Sequence, residues 1–144
     1  MPQLIEHIDA LARKKQRDVL FLKFTDPKDQ GIQIGRPPYY WDWESSPDRQ
    51  TVMAWLKENQ VSWQLCGEVA DTTSMTHYAG QIYIDVPFDD ADPLYQKVLG
   101  YLENQDGSTR LPGVWLFALE LHVAMKNAHH DEPDFWVRWA ESFI

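Results

Sequence analysis

Val114-Trp115-Leu116-Phe117-Ala118-Leu119-Glu120-Leu121-His122-Val123 is the stretch on which the fold turns. Trp115, Phe117, Leu119, Leu121 and Val123 alternate with Leu116, Ala118, Glu120 and His122, the period of a strand whose side chains point to opposite faces. Helix is the competing reading, because Leu, Ala, Glu and Met are good helix formers and the run continues to residue 128, a helix's length. The alternation decides for an extended strand over 114–123. Read so, it closes a series: a strand at Val19–Phe24, a helix over 51–59, strands at 61–66 and 81–86, a helix over 94–103, and this last strand.

Strand, helix, strand, strand, helix, strand is the split βαβ order, and in that order the chain resembles ferredoxin-like sandwiches. The resemblance is one of topology and brings no activity with it, since that fold hosts unrelated functions. It implies one α+β domain over residues 1–144, with a four-stranded antiparallel sheet, helices packed on one face, and additional N- and C-terminal helices completing the cover. A chain of 144 residues, 44% apolar, has the means to build such a core.

The flanking elements follow from local pattern. Leu4, Ile5, Ile8, Leu11 and Ala12 form one helical stripe; Glu6 and Asp9 come early and Arg13, Lys14, Lys15 and Arg17 late, complementing the helix dipole with a solvated basic cluster. Val19–Phe24 is apolar almost throughout, as a central strand covered on both faces is. Ser46 or Asp48 caps the 51–59 helix, which turns Val52, Trp55 and Leu56 inward. Residues 61–66 alternate, so one side should be buried, and Pro87 ends the 81–86 strand. Asp90 or Asp92, with Pro93 at the first helical position, starts the next helix. Asp131 caps a C-terminal helix, with Pro133 near its start, whose buried stripe is Phe135, Trp136, Trp139, Ala140 and Phe143. Trp55, Trp63, Trp115 and Trp139 fall on periodic apolar faces and are assigned to the core.

Net charge is −9, divided as +2 over residues 1–25 and −11 over the remainder. So acidic a surface repels phosphate backbones and argues against nucleic-acid binding. It keeps a fold soluble, and it suits a basic protein partner. No apolar stretch approaches the ~18 residues that span a bilayer, so no membrane role is expected. Met1-Pro2-Gln3-Leu4-Ile5-Glu6 does not read as a secretory leader. Cys66 is the one cysteine, so no internal disulfide forms and a reducing, cytoplasmic location fits.

Between 25 and 48 no useful periodicity survives, and Gly31, Gly35, Pro37, Pro38 and Pro47 mark a long loop of the kind often tied to function. It carries Tyr39, Tyr40, Trp41 and Trp43. The topology places this loop at one end of the sheet with the 67–78 connector, adding His77 and Tyr78. These six residues are the candidate partner- or ligand-binding set, since Tyr and Trp give rigid contact area with a polar handle. The same rings serve equally to seal one sheet face. The opposite end collects Arg17, Asp18, Asp85, Asp89, Asp90, Asp92, Glu120, His122, His129, His130, Asp131 and Glu132. Carboxylates with imidazoles are ligands for zinc, manganese or iron. Their spacing here matches no HExxH and no calcium loop, while helix capping and pairing with Lys14, Lys15 and Arg17 account for the acids. No metal or other cofactor is assigned. A Cys66–His77 dyad lacks any setting that lowers a thiol's pKa, and no nucleophile elbow, P-loop or dinucleotide fingerprint is present, so no catalytic residue is assigned.

The expectation is a non-enzymatic acidic binding or regulatory protein, inhibitor- or immunity-like, that recognises a basic protein through its aromatic loop. The alternative is a small-ligand-binding protein or metal-dependent enzyme using the Asp/His-rich end. A homodimer through a sheet edge or the same rings is a third arrangement.

Overall fold

The structure, a computed structural model, describes residues 5–25, 42–70 and 78–142. The deciding stretch divides in two. Val114–Leu119 is extended as β4, and the chain turns helical immediately afterwards in α4, Leu121–Ala124. The strand expected over 114–123 is therefore corrected at its C-terminal end. Leu119 already pairs with Val19, the first residue of β1 (Val19–Phe24), so no partner strand remains beyond it. Asp18 Oδ1 accepts the Leu121 amide at 2.7 Å, and the Glu120 carbonyl accepts the Val123 and Ala124 amides at 3.1 Å, which starts a helical turn.

With β2 (Trp63–Leu65) and β3 (Ile82–Ile84), these strands make a four-stranded open sheet in the order β2-β3-β1-β4, each neighbouring pair antiparallel. β1 and β2 thus run one way and β3 and β4 the other. The remaining helices are α1 (Ile8–Lys15), α2 (Pro47–Glu58), α3 (Pro93–Leu102) and α5 (Phe135–Glu141), giving a mixed α+β architecture.

Alternation along the strands loads both sheet faces. Leu20, Leu22, Phe24, Ile82, Ile84 and Val114 pack against Val52 and Leu56 of α2 and Tyr95, Val98 and Leu102 of α3. On the reverse face Val19, Phe21, Tyr83 and Leu119 meet Ile8, Leu11 and Ala12 of α1, with Cys66 and Ala124. Each fully buried Leu or Ile among them contributes roughly 1.5–3 kcal/mol relative to exposure.

Two helix starts follow the sequence signals. Ser46 accepts the Arg49 amide ahead of Pro47, and Asp92 accepts the Leu94 and Tyr95 amides at 2.9 and 3.0 Å ahead of Pro93. The third does not: α5 is preceded by Asp134 at φ 67°, while Asp131 is drawn away to Arg13. Arg13 is likewise no member of a solvated basic cluster, being buried between Asp9 and Asp131. Trp63 and Trp115 are also corrected, at 42% and 43% exposed. Both lie on edge strands, and β2 is exposed along its whole length, against the expectation that one side of 61–66 is buried. Trp55 stacks on Tyr101 at a centroid distance of 4.2 Å, but the buried stripe expected on α5 is corrected: Phe135, Trp136 and Trp139 are half-buried, Ala140 is exposed, and Phe143 lies outside the described residues. Among the described residues no helix is long and apolar enough to cross a membrane.

Candidate functional site

The end of the sheet where β1 finishes and β4 begins is held by backbone contacts. The Thr25 amide donates to the Gly113 carbonyl at 2.9 Å, and the Gly113 amide donates to Asp48 Oδ2 at 3.2 Å, tying the N-terminus of α2 to the same place. Just before α2, residues Trp43–Ser45 form a 3-10 turn. That turn presents the Trp43 ring to Tyr78, edge to face, with centroids 5.0 Å apart. The two residues come from segments the topology was expected to bring together. The Arg49 guanidinium lies 4.6 Å from the Trp43 ring centroid and 5.6 Å from that of Phe24. Its Nε donates to the Gly80 carbonyl at 3.1 Å. Gly80 has φ 90°, an angle that strains any L-residue, and a Cβ there would press on Arg49 Nε at 3.1 Å and Trp43 Cβ at 3.2 Å, so both side chains would have to give by a few tenths of an ångström.

Tyr78 donates its hydroxyl to the Gln81 carbonyl at 2.6 Å. Burial pushes its phenol up to about 12, with Arg49 partly opposing, so it stays neutral. Trp43, Tyr78 and Arg49 are each half-buried, whereas Asp42 and Glu44 on either side of Trp43 are exposed. Tyr39, Tyr40, Trp41 and His77 lie outside the described residues. So does the histidine half of the Cys66–His77 dyad. Burial, together with the Glu68 charge, pushes the Cys66 thiol up to about 12, the reverse of an activated nucleophile.

Two rings of β4, Trp115 toward this end and Phe117 at mid-strand, are open where the sequence places no site residue. Trp115 donates its indole N–H to Thr25 Oγ1 at 3.2 Å, and Phe117 stacks on Phe21 with centroids 5.6 Å apart; both are 43% exposed. Lys23, paired with Glu68 at 2.6 Å, lies 5.7 Å from the Phe117 ring centroid. The missed signal is topological: the last strand of the order is an edge, so its alternation does not guarantee cover on both sides.

At the opposite end the acids are taken up singly. Asp85 pairs with Arg17, Asp89 accepts the Ala91 amide, Asp92 caps α3, and Asp131 binds Arg13. Glu120 and His122, both exposed, approach at 3.3 Å. Among the described residues no group of three or more His, Cys, Asp or Glu is arranged to hold a metal ion. His130 is buried, stacked on Phe135 at 4.5 Å and edge-on to Trp136 at 5.0 Å. Beside it an open hollow of about 360 Å³ is lined by His129, Glu132, Phe135, Arg138 and Trp139.

Comparison with known proteins returns no match: no family model fits the chain, and no curated protein or solved structure is significantly similar to it.

Proposed function

We propose that the sheet and helices form a ferredoxin-like sandwich and that the protein works by binding, as an acidic inhibitor- or immunity-like module that takes a basic protein partner. The βαββαβ order and the strand order β2-β3-β1-β4 support the first part. The second rests on one observation: Trp43 is fixed by Arg49 and Tyr78 while its neighbours Asp42 and Glu44 face solvent, on a chain of net charge −9. A ring held in place costs little entropy to dock, and flanking carboxylates steer a cationic surface toward it. Tyr39, Tyr40, Trp41 and His77 complete the proposed contact surface. A cytoplasmic setting belongs to the same reading, because the one cysteine is a buried free thiol.

The test is co-purification of the tagged chain with its cellular partner, followed by the same capture with Trp41→Ala/Trp43→Ala and with Asp42→Lys/Glu44→Lys. A basic protein is expected, retained less at high salt and lost with the ring variant. Undiminished capture by both variants removes this end of the sheet from the account.

A second reading, small-ligand binding, draws on the hollow beside α5. Its volume of about 360 Å³ lies within the range of ligand sites, though it is open to solvent, and Phe135 and Trp139 give it aromatic walls with His129 and the Arg138–Glu132 pair, 3.6 Å apart, as polar groups. Small aromatic compounds are the natural probes, read by Trp fluorescence against an Arg138→Ala variant. The metal-dependent form of this reading needs stoichiometric metal in the purified protein, lost on replacing His122 and Asp89 by alanine.

A further inference from the structure

We propose that β4 is a self-association edge, at which two copies of this chain pair antiparallel about a two-fold axis and join their sheets. The proposal does not depend on a partner at the Trp43 end. β4 is hydrogen-bonded to β1 along one flank, and among the described residues no strand pairs with the other. Such a flank offers a row of backbone donors and acceptors to any second strand, and stable monomers guard it with lysine, proline, a bulge or brevity. The other edge, β2, is only three residues long. β4 is six residues long, Val-Trp-Leu-Phe-Ala-Leu, with no charge, no proline and no glycine. It pairs with β1 residue for residue from Val114 to Leu119, so no bulge twists it away. Apolar side chains stand open on both sides of it: Trp115 and Phe117 on one face, Ala118 on the other, with Leu116 half-buried.

Charge selects a second copy as the occupant. β4 is neutral, but Arg110 precedes it and Glu120 follows it, and both are exposed. An antiparallel pairing brings the Arg110 end of each copy beside the Glu120 end of the other; a parallel pairing would set like charges together. Centring the two-fold axis on Leu116 puts residues of one face opposite one another, so Trp115 meets Phe117 of the second copy on either side of the axis. The four rings would then cover one another in an isologous contact.

Sedimentation equilibrium of the full chain over a concentration series tests this. A reversible monomer–dimer equilibrium is expected. Trp115→Lys/Phe117→Lys and, separately, Ala118→Lys, which alters neither ring, should shift it to monomer while circular dichroism stays native. Arg110→Glu and Glu120→Arg should each weaken association several-fold, and the double reversal should restore it. A wild-type chain that remains monomeric throughout overturns the proposal. So does a dimer indifferent to Ala118→Lys, or one whose charge reversals fail to compensate.

Discussion

Arg13 closes a fork onto Asp131 across 118 positions of sequence, its Nε and Nη2 donating to Oδ2 and Oδ1 at 2.8 Å each. The same guanidinium donates from Nη1 to Asp9 Oδ2 at 2.8 Å and to the Ala124 carbonyl at 3.1 Å. Asp9, fully buried, accepts the Ala70 amide at 2.8 Å and the Asn127 side-chain amide at 3.0 Å. One charged network therefore fastens α1 both to the end of the 66–70 segment and to the C-terminal region. Full use of the Asp9 carboxylate, and the bidentate hold of the partly exposed Asp131 on the same guanidinium, are what make the buried Asp9–Arg13 pair tolerable.

Breaking this network on one side should cost more than replacing it. Asp9→Ala removes one of the two carboxylates on Arg13, leaving the Asp131 fork, and orphans the buried Ala70 amide, so a loss of about 1–3 kcal/mol is expected in urea titrations. The paired change Asp9→Leu/Arg13→Met removes both buried charges and should recover part of that loss, the Ala70 amide staying unpaired. Equal costs for the single and the paired variants would mean that the network acts through shape alone.

Gly80 offers a sharper test of the Trp43 arrangement. Gly80→Ala places a methyl against Arg49 and Trp43 at a backbone angle that L-residues rarely adopt. A destabilisation of roughly 1–3 kcal/mol is expected, with a change in Trp43 fluorescence as the ring is displaced. Gly107, also at positive φ but with open space around it, is the control: Gly107→Ala strains the backbone without touching any ring.

Much of this architecture was legible because short-range physics dictates it. Val19–Phe24 reads as a central strand and is one, and Ser46 and Asp92 read as caps because a side-chain acceptor serves the first turn directly; Pro47, read as part of the 25–48 loop, instead opens α2 four residues before the expected start at 51. What the sequence hid depends on distant partners. Nothing near Leu119 announces that β1 has run out, so the strand looked longer than it is. Asp131 resembles a cap until Arg13, from the other end of the chain, claims it. Trp63 and Trp115 share the alternation of buried residues, and only the strand order reveals that they lie at edges. Of the six candidate site residues, the juxtaposition of Trp43 with Tyr78 followed from topology, whereas the clasp of Arg49 and Gly80 around them left no local pattern.

Cys66 should be chemically silent in the folded protein. It has no exposed surface, and its thiol is pushed up to about 12 by burial and the nearby Glu68 charge, so almost no thiolate forms in mildly alkaline buffer. A disulfide reagent such as dithionitrobenzoate should label it only as fast as the surrounding structure opens, with the rate rising in urea. Labelling of the native protein at the speed of a free thiol would contradict the packing of Cys66 in the α1 core.

Acid should weaken the fold in two separable stages. His130 is buried with Nδ1 unpartnered among the described residues, and burial holds its imidazole below the ordinary value, reinforced by His129 at a centroid distance of 4.4 Å. Arg13 and His7 add to that depression, and Asp9 opposes it. The unfolded chain therefore takes up a proton at His130 before the folded one does, and stability falls as pH drops below about 6.5. Asp131 is held below the usual carboxylate range by the Arg13 hydrogen bonds. Asp9 is held there too: burial alone would raise it, but Arg13, the Ala70 amide and Asn127 together prevail. Their contribution is complete above the unfolded carboxylate value of about 3.9 and is lost only as pH falls through their lower folded values. His130→Phe, which keeps the stack on Phe135, should flatten the first stage of a thermal-melt series across pH and leave the second intact. Arg13→Met should do the reverse, shrinking the second stage to what Asp85, held low by its Tyr83 and Arg17 contacts, still supplies; a first stage that survives His130→Phe would assign it to another group.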